Sequence, residues 1–132
     1  MSKPDDKIGI SRDDAWTLLN QFMKNKKLVS HCLASEAIMR SLAHQFGEDE
    51  ELWGLSGLLH DLDFEIVNED PGLHGAKAAE ILEEKGVCSE MVNAIKKHNA
   101  EGLGLERSTL FEYALTCGKH YRTYCCHSPG LS

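Results

Sequence analysis

Apolar residues return every three or four positions along most of this 132-residue chain, and no stretch alternates apolar with polar side chains as a half-buried strand must. Ser11-Arg12-Asp13-Asp14 offers a Ser cap with an acid at the third helical position, after which Ala15, Leu18, Leu19 and Phe22 share one face. That pattern predicts a first helix from Arg12 to about Asn25. Leu28, Cys32, Leu33, Ile38, Leu42 and Phe46 predict a second, stopped by Gly47, whose tolerance of positive φ suits a helix end. Leu52, Leu55, Leu58, Leu59 and Leu62 form a third stripe, in which Gly54 and Gly57 would let another helix approach closely, so this helix is expected to be central.

Asp63 to Gly72, with its acids, Asn68 and Pro71, reads as a connecting loop. His74 to Lys85, closed by Gly86, and Ser89 to His98 or Asn99 read as two further helices, and Ser108 is expected to cap a last one through Leu110, Phe111, Ala114 and Leu115. The class is all-α, a bundle of about five to six helices. At 42% hydrophobic content, a chain of this length makes one domain that buries about two-thirds of its unfolded surface. A formal net charge of -7 argues against broad attraction to nucleic acid or anionic lipid. No apolar run approaches the roughly 20 residues needed to cross a bilayer, and Met1 to Asp6 is polar, so no membrane partner and a cytoplasmic location are expected. Five cysteines without a CxxC spacing fit reduced thiols, with Cys32, Cys88 and Cys117 inside apolar patterns, better than a disulfide framework or a zinc knuckle.

The histidines carry more information. His31, the His60-Asp61 pair, His74 and His98 each fall on or near a different predicted helix, which is how a bundle converges ligands on one interior point. His44, His120 and His127 lack supporting context and read as ordinary residues. Imidazole with carboxylate suits Zn, Mn, Fe or Ni better than Ca. Consecutive helical residues point about 100° apart, so His60 and Asp61 can serve one ion only if the helix end bends or the carboxylate leans across a metal pair.

Ser30-His31-Cys32, Gly57-Leu58-Leu59-His60-Asp61, Leu73-His74-Gly75 and Ile95-Lys96-Lys97-His98-Asn99 together resemble the HD-domain superfamily of metal-dependent phosphohydrolases, over about Arg12 to Leu115. Leu58-Leu59-His60-Asp61-Leu62-Asp63-Phe64-Glu65 is similar to a branch of predicted HD hydrolases with poorly defined substrates. The resemblance implies an HD-type helical bundle in which His31, His60 and Asp61 hold one divalent ion, His74 and His98 recruit a second, and Asp61 bridges them. It implies His60 and Asp61 as catalytic residues, one or two ions of Fe, Mn, Ni or Zn as cofactor, and attack of metal-activated water on a small phosphorylated compound or nucleotide.

Two departures from the family pattern matter. Many HD enzymes carry a Lys shortly after the doublet, where this chain has Leu62-Asp63-Phe64-Glu65. Lys77 and Lys97 are the candidates to bind phosphate instead, and Asp63 and Glu65 are candidates to orient imidazoles. The family's last helix also carries a further acid, and here none follows Glu112. Residues 1–118 therefore read as the HD-type domain, with its core at about 12–115, and residues 119–132 as an atypical tail. Codons for Gly118 to Ser132 displaced by one base are compatible with Glu-Asn-Ile-Thr-Gly-Leu-Ile, so the tail is expected to be a frameshift product; a native gene without such a frame would refute this. The alternative to an enzyme is a catalytically impaired binding or regulatory module. An absent last helix would leave apolar surface uncovered, and with it comes an expectation of self-association into a homo-oligomer.

Overall fold

The computed structural model describes residues 8–67, 70, 72–99, 103–107 and 109–119, with side chains through 116. These residues form six helices and no strand: α1 (Arg12–Phe22), α2 (Lys26–Phe46), α3 (Glu50–Leu59), α4 (Ala76–Glu84), α5 (Ser89–Lys97) and α6 (Leu110–Lys119). The all-α expectation holds. No described helix is long and apolar enough to cross a membrane.

Local chemistry sets most of the boundaries. Ser11 Oγ accepts the amide of Asp14 and opens α1, as expected. The first helix stops earlier than its pattern suggested because Asn25 belongs to the next one: its side chain accepts the amides of Lys27 and Leu28 and caps α2. At the other end of α2, Gly47 takes the left-handed conformation (φ 70°) and closes the helix. The last helix is opened by Thr109. Its Oγ1 accepts the amide of Glu112 while Glu112 Oε1 accepts the amide of Thr109, a reciprocal capping box. The expected cap, Ser108, lies outside the described residues, as do Asn68, Pro71, Gly102 and the tail from residue 120.

The third helix is central, and all eight residues from Leu52 to Leu59 are buried. It packs on α2 most extensively and also meets α1, α5 and α6. Gly57 makes this closeness possible: a Cβ there would lie 2.6 Å from the Ser35 carbonyl oxygen of α2. Fully buried Leu55, Leu58, Leu59 and Leu62 each contribute on the order of 2 kcal/mol of transfer free energy. Trp53 stacks on Phe111 of α6 at 5.4 Å between centroids. On the opposite flank the buried Glu36 carboxylate of α2 takes Arg12 of α1 (2.7 Å) and Arg40 (2.9 Å), and Arg40 reaches Glu51 of α3 (3.0 Å). Cys32 and Cys88 are free thiols.

Candidate metal centre

The helical pattern of α3 runs on to Leu62, but the helix ends at Leu59. His60 is its C-cap, and the chain tightens into consecutive turns, with Leu62 N bonded to Leu59 O and Phe64 N to Asp61 O. The doublet thus sits where the helix bends, and this directs both side chains to one place. His60 Nε2 and His31 Nε2 each lie 3.2 Å from Asp61 Oδ2. The other oxygen, Oδ1, faces His74 Nε2 at 3.0 Å and His98 Nε2 at 3.6 Å. Asp61 therefore belongs to two groups able to hold a metal, His31/His60/Asp61 and Asp61/His74/His98, with the ligand atoms of each within 4.8 Å of one another. All five residues singled out from the sequence meet around a single carboxylate.

The far nitrogens of the rings explain which atoms face inward. Nδ1 of His60 donates to the Gly57 carbonyl (2.7 Å), and Nδ1 of His98 donates to the Ile95 carbonyl. Each histidine follows a helix and folds back on a carbonyl three residues earlier, one of the acceptors a helix end leaves unpaired. A carbonyl only accepts, so both Nδ1 atoms carry hydrogen and both rings turn Nε2, the atom that can ligate, towards Asp61. Nδ1 of His74 meets Asp63 Oδ1 at 2.7 Å, and its Nε2 stands 3.0 Å from that of His98.

Two buried carboxylates, Asp61 and Asp63, draw positive charge to this centre. Burial disfavours the Asp61 carboxylate, yet the charge of His60 and the nitrogens of His31, His60 and His74 hold it well below the usual carboxylate range. Burial likewise opposes an imidazolium at His74, but Asp61 and Asp63 outweigh it and push its pKa up to about 9. Protons on the rings or a cation between them can satisfy the same demand. The set fits a metal: three buried imidazoles and a carboxylate, with His60 Nε2 fully buried and making no hydrogen bond.

The other expected site residues are arranged less uniformly. Asp63 is fully buried, with Oδ1 beside His74 Nδ1. Glu65, expected alongside it, reaches no imidazole. Its Oε2 accepts the amides of Lys24 and Asn25, both at 2.9 Å, and so ties the turn after α3 to the start of α2. Lys77 pairs with Glu80 at 2.9 Å on the exposed side of α4, and Lys97 pairs with the buried Glu112 at 3.4 Å. Two contributors escaped the sequence reading. Asn99 Nδ2 donates to the His74 carbonyl (2.8 Å) and Arg107 Nη2 to that of His98 (3.2 Å), holding the backbone of both histidines. Asn99 adjoins His98 in the chain, but nothing local points either donor at those carbonyls.

The family model for the HD domain matches residues 28–119. The chain belongs to the HD domain family, a superfamily of metal-dependent phosphohydrolases. It is similar to Ribonuclease Y of Aliarcobacter butzleri, with 34% identity over 89 residues, covering 67% of this chain and 16% of the relative. Ribonuclease Y of Thermobifida fusca is 28% identical over 76 residues, covering 58% of this chain and 15% of the relative. The chain thus spans about one sixth of the curated relatives it matches.

Proposed function

We propose that this chain hydrolyses phosphate esters, using one or two divalent ions of Fe, Mn, Ni or Zn held by His31, His60, Asp61, His74 and His98. The observation that carries this reading is the division of Asp61, one oxygen to each histidine group. A divalent cation bound there supplies acidified water and offsets negative charge at phosphorus. The protein's part is to fix Asp61 as the shared anion, to hold His60 and His98 rigidly behind it, and to leave access on the His31 side. The side chain of His31 is 39% exposed, whereas those of His60 and His98 are wholly buried. Lys97 and Lys77 are the proposed phosphate contacts, exchanging Glu112 and Glu80 for substrate.

The substrate class is a small phosphorylated compound or nucleotide. Because the relatives are named as ribonucleases, a short oligoribonucleotide belongs in the same substrate panel. The test is elemental analysis of the purified, dialysed chain by plasma mass spectrometry, followed by that panel with the metal found. Stoichiometric metal and a turnover abolished in His60→Ala and Asp61→Ala are expected; unchanged turnover in either variant refutes the assigned site. A second reading, a binding module that retains metal without catalysis, is favoured by the lack of any acid in residues 113–119 where the family carries one. It predicts a ligand-induced rise in Tm and no turnover for any member of the panel.

A further inference from the structure

We propose that Asp63 is a positioning residue that selects the tautomer of His74, and thereby decides whether the Asp61/His74/His98 group can take an ion. The ion-binding half of this rests on the metal reading above; the tautomer half stands on geometry alone. Asp63 is fully buried and uses both oxygens. Oδ1 lies 2.7 Å from His74 Nδ1, while Oδ2 accepts the amides of Gly75 (2.7 Å) and Ala78 (2.8 Å) at the start of α4. That helix has no side-chain cap from its own N-cap residue, Gly75, so a carboxylate from the turn after α3 does the capping. One side chain therefore fixes the helix that follows His74 and the hydrogen on its ring.

Carboxylates that only accept face both ring nitrogens, and Asp63 Oδ1 at 2.7 Å is nearer than Asp61 Oδ1 at 3.0 Å, so neutral His74 keeps its hydrogen on Nδ1 and turns the Nε2 lone pair towards Asp61 and His98. Replacing Asp63 by Asn separates the two tasks. The amide oxygen can still accept from Gly75 and Ala78, because Asn caps helices about as well as Asp. The amide NH2 is then left facing Nδ1. Two donors cannot face each other, so the hydrogen moves to Nε2, where Asp61 Oδ1 accepts it at 3.0 Å. An Nε2–H cannot ligate a metal. The group His31/His60/Asp61 contains neither His74 nor any atom bonded to Asp63 and should be spared.

Nitrogen-15 NMR of the imidazoles in metal-free protein, at a pH where His74 is neutral, reads the tautomer directly. Calorimetric titration with Mn or Zn reads the ions. The expected result is hydrogen on Nδ1 in the wild type and on Nε2 in Asp63→Asn, with the second ion weakened about 10- to 100-fold and the first unchanged. Asp63→Glu, which keeps an acceptor, should retain the Nδ1–H form. A wild-type ring with hydrogen on Nε2 overturns the proposal without any variant, so a variant that fails to fold does not shelter it. Two ions held equally well by wild type and Asp63→Asn overturn it too. A wild type that takes no ion overturns the metal reading, and the nitrogen spectrum then decides the role of Asp63 alone.

Discussion

The two halves of the centre share Asp61 and differ in almost everything else. In the Asp61/His74/His98 half, both rings are anchored from behind, by Asp63 and by the Ile95 carbonyl, and Asn99 and Arg107 brace the backbone. In the His31/His60/Asp61 half, only His60 is anchored in this way, while His31 projects from the second turn of α2 with its side chain 39% exposed. A ligand set on consecutive turns and helix ends is rigid because backbone acceptors lie close by. A side chain within a helix depends for its position on how that helix packs. The His31/His60/Asp61 half is thus the more solvent-accessible side, and its geometry depends on the α2–α3 contact.

The comparison can be broken most completely at its shared point. Asp61→Ala should remove metal from both halves at once, measured as metal per chain; retention of one ion would mean that the halves are independent. A smaller and one-sided effect is expected from Gly57→Ala. The new methyl group must push α3 off the Ser35 carbonyl of α2, costing about 1–3 kcal/mol in thermal unfolding and displacing His31 relative to His60. Calorimetry should show the His31 ion weakened more than the other. Glu65→Ala removes the acceptor for the Lys24 and Asn25 amides and should cost about 1 kcal/mol, again at the α2 side only.

The smallest effect is one proton. The His74 pKa is raised from 6.5 to about 9, so its bonds to Asp61 and Asp63 stabilise the metal-free fold fully below about pH 6.5 and progressively less as pH rises through 9. Tm of the metal-free chain should fall over that window, all else equal. Metal uptake near pH 7 should release a proton from this ring, read by calorimetry in buffers of different ionisation enthalpy. Metal uptake that releases no proton would show that His74 is not displaced from its charged state.

Much of the fold was legible because helices are made from neighbours. Ser11 accepting the Asp14 amide, the Gly47 stop and the leucine stripe of α3 all act within a few residues, where sequence distance and spatial distance coincide. The failures sit at junctions. Asn25 reads as the tail of one helix and caps the next, and the Thr109–Glu112 capping box was not read from the sequence. A capping side chain is chosen by where the chain path turns, which spacing alone does not give.

The candidate centre divides along the same line. His31, His60, Asp61, His74 and His98 stand out in the sequence by residue type and context, and Asp63 stands out by its closeness to the doublet. What Glu65, Lys77 and Lys97 do could not be read that way, since each is a long charged side chain that bonds whatever lies within its reach. Glu65 finds amides forty residues away, and Lys97 finds Glu112 fifteen residues on. The helices and the inventory of candidate ligands were legible in the amino-acid sequence, because both follow from residue type and short-range spacing. That one oxygen of Asp61 faces each pair of histidines and that Asp63 holds His74 emerged only in three dimensions, because those relations join α2, the turn after α3, the residues before α4 and the C-terminal end of α5 across a packed core.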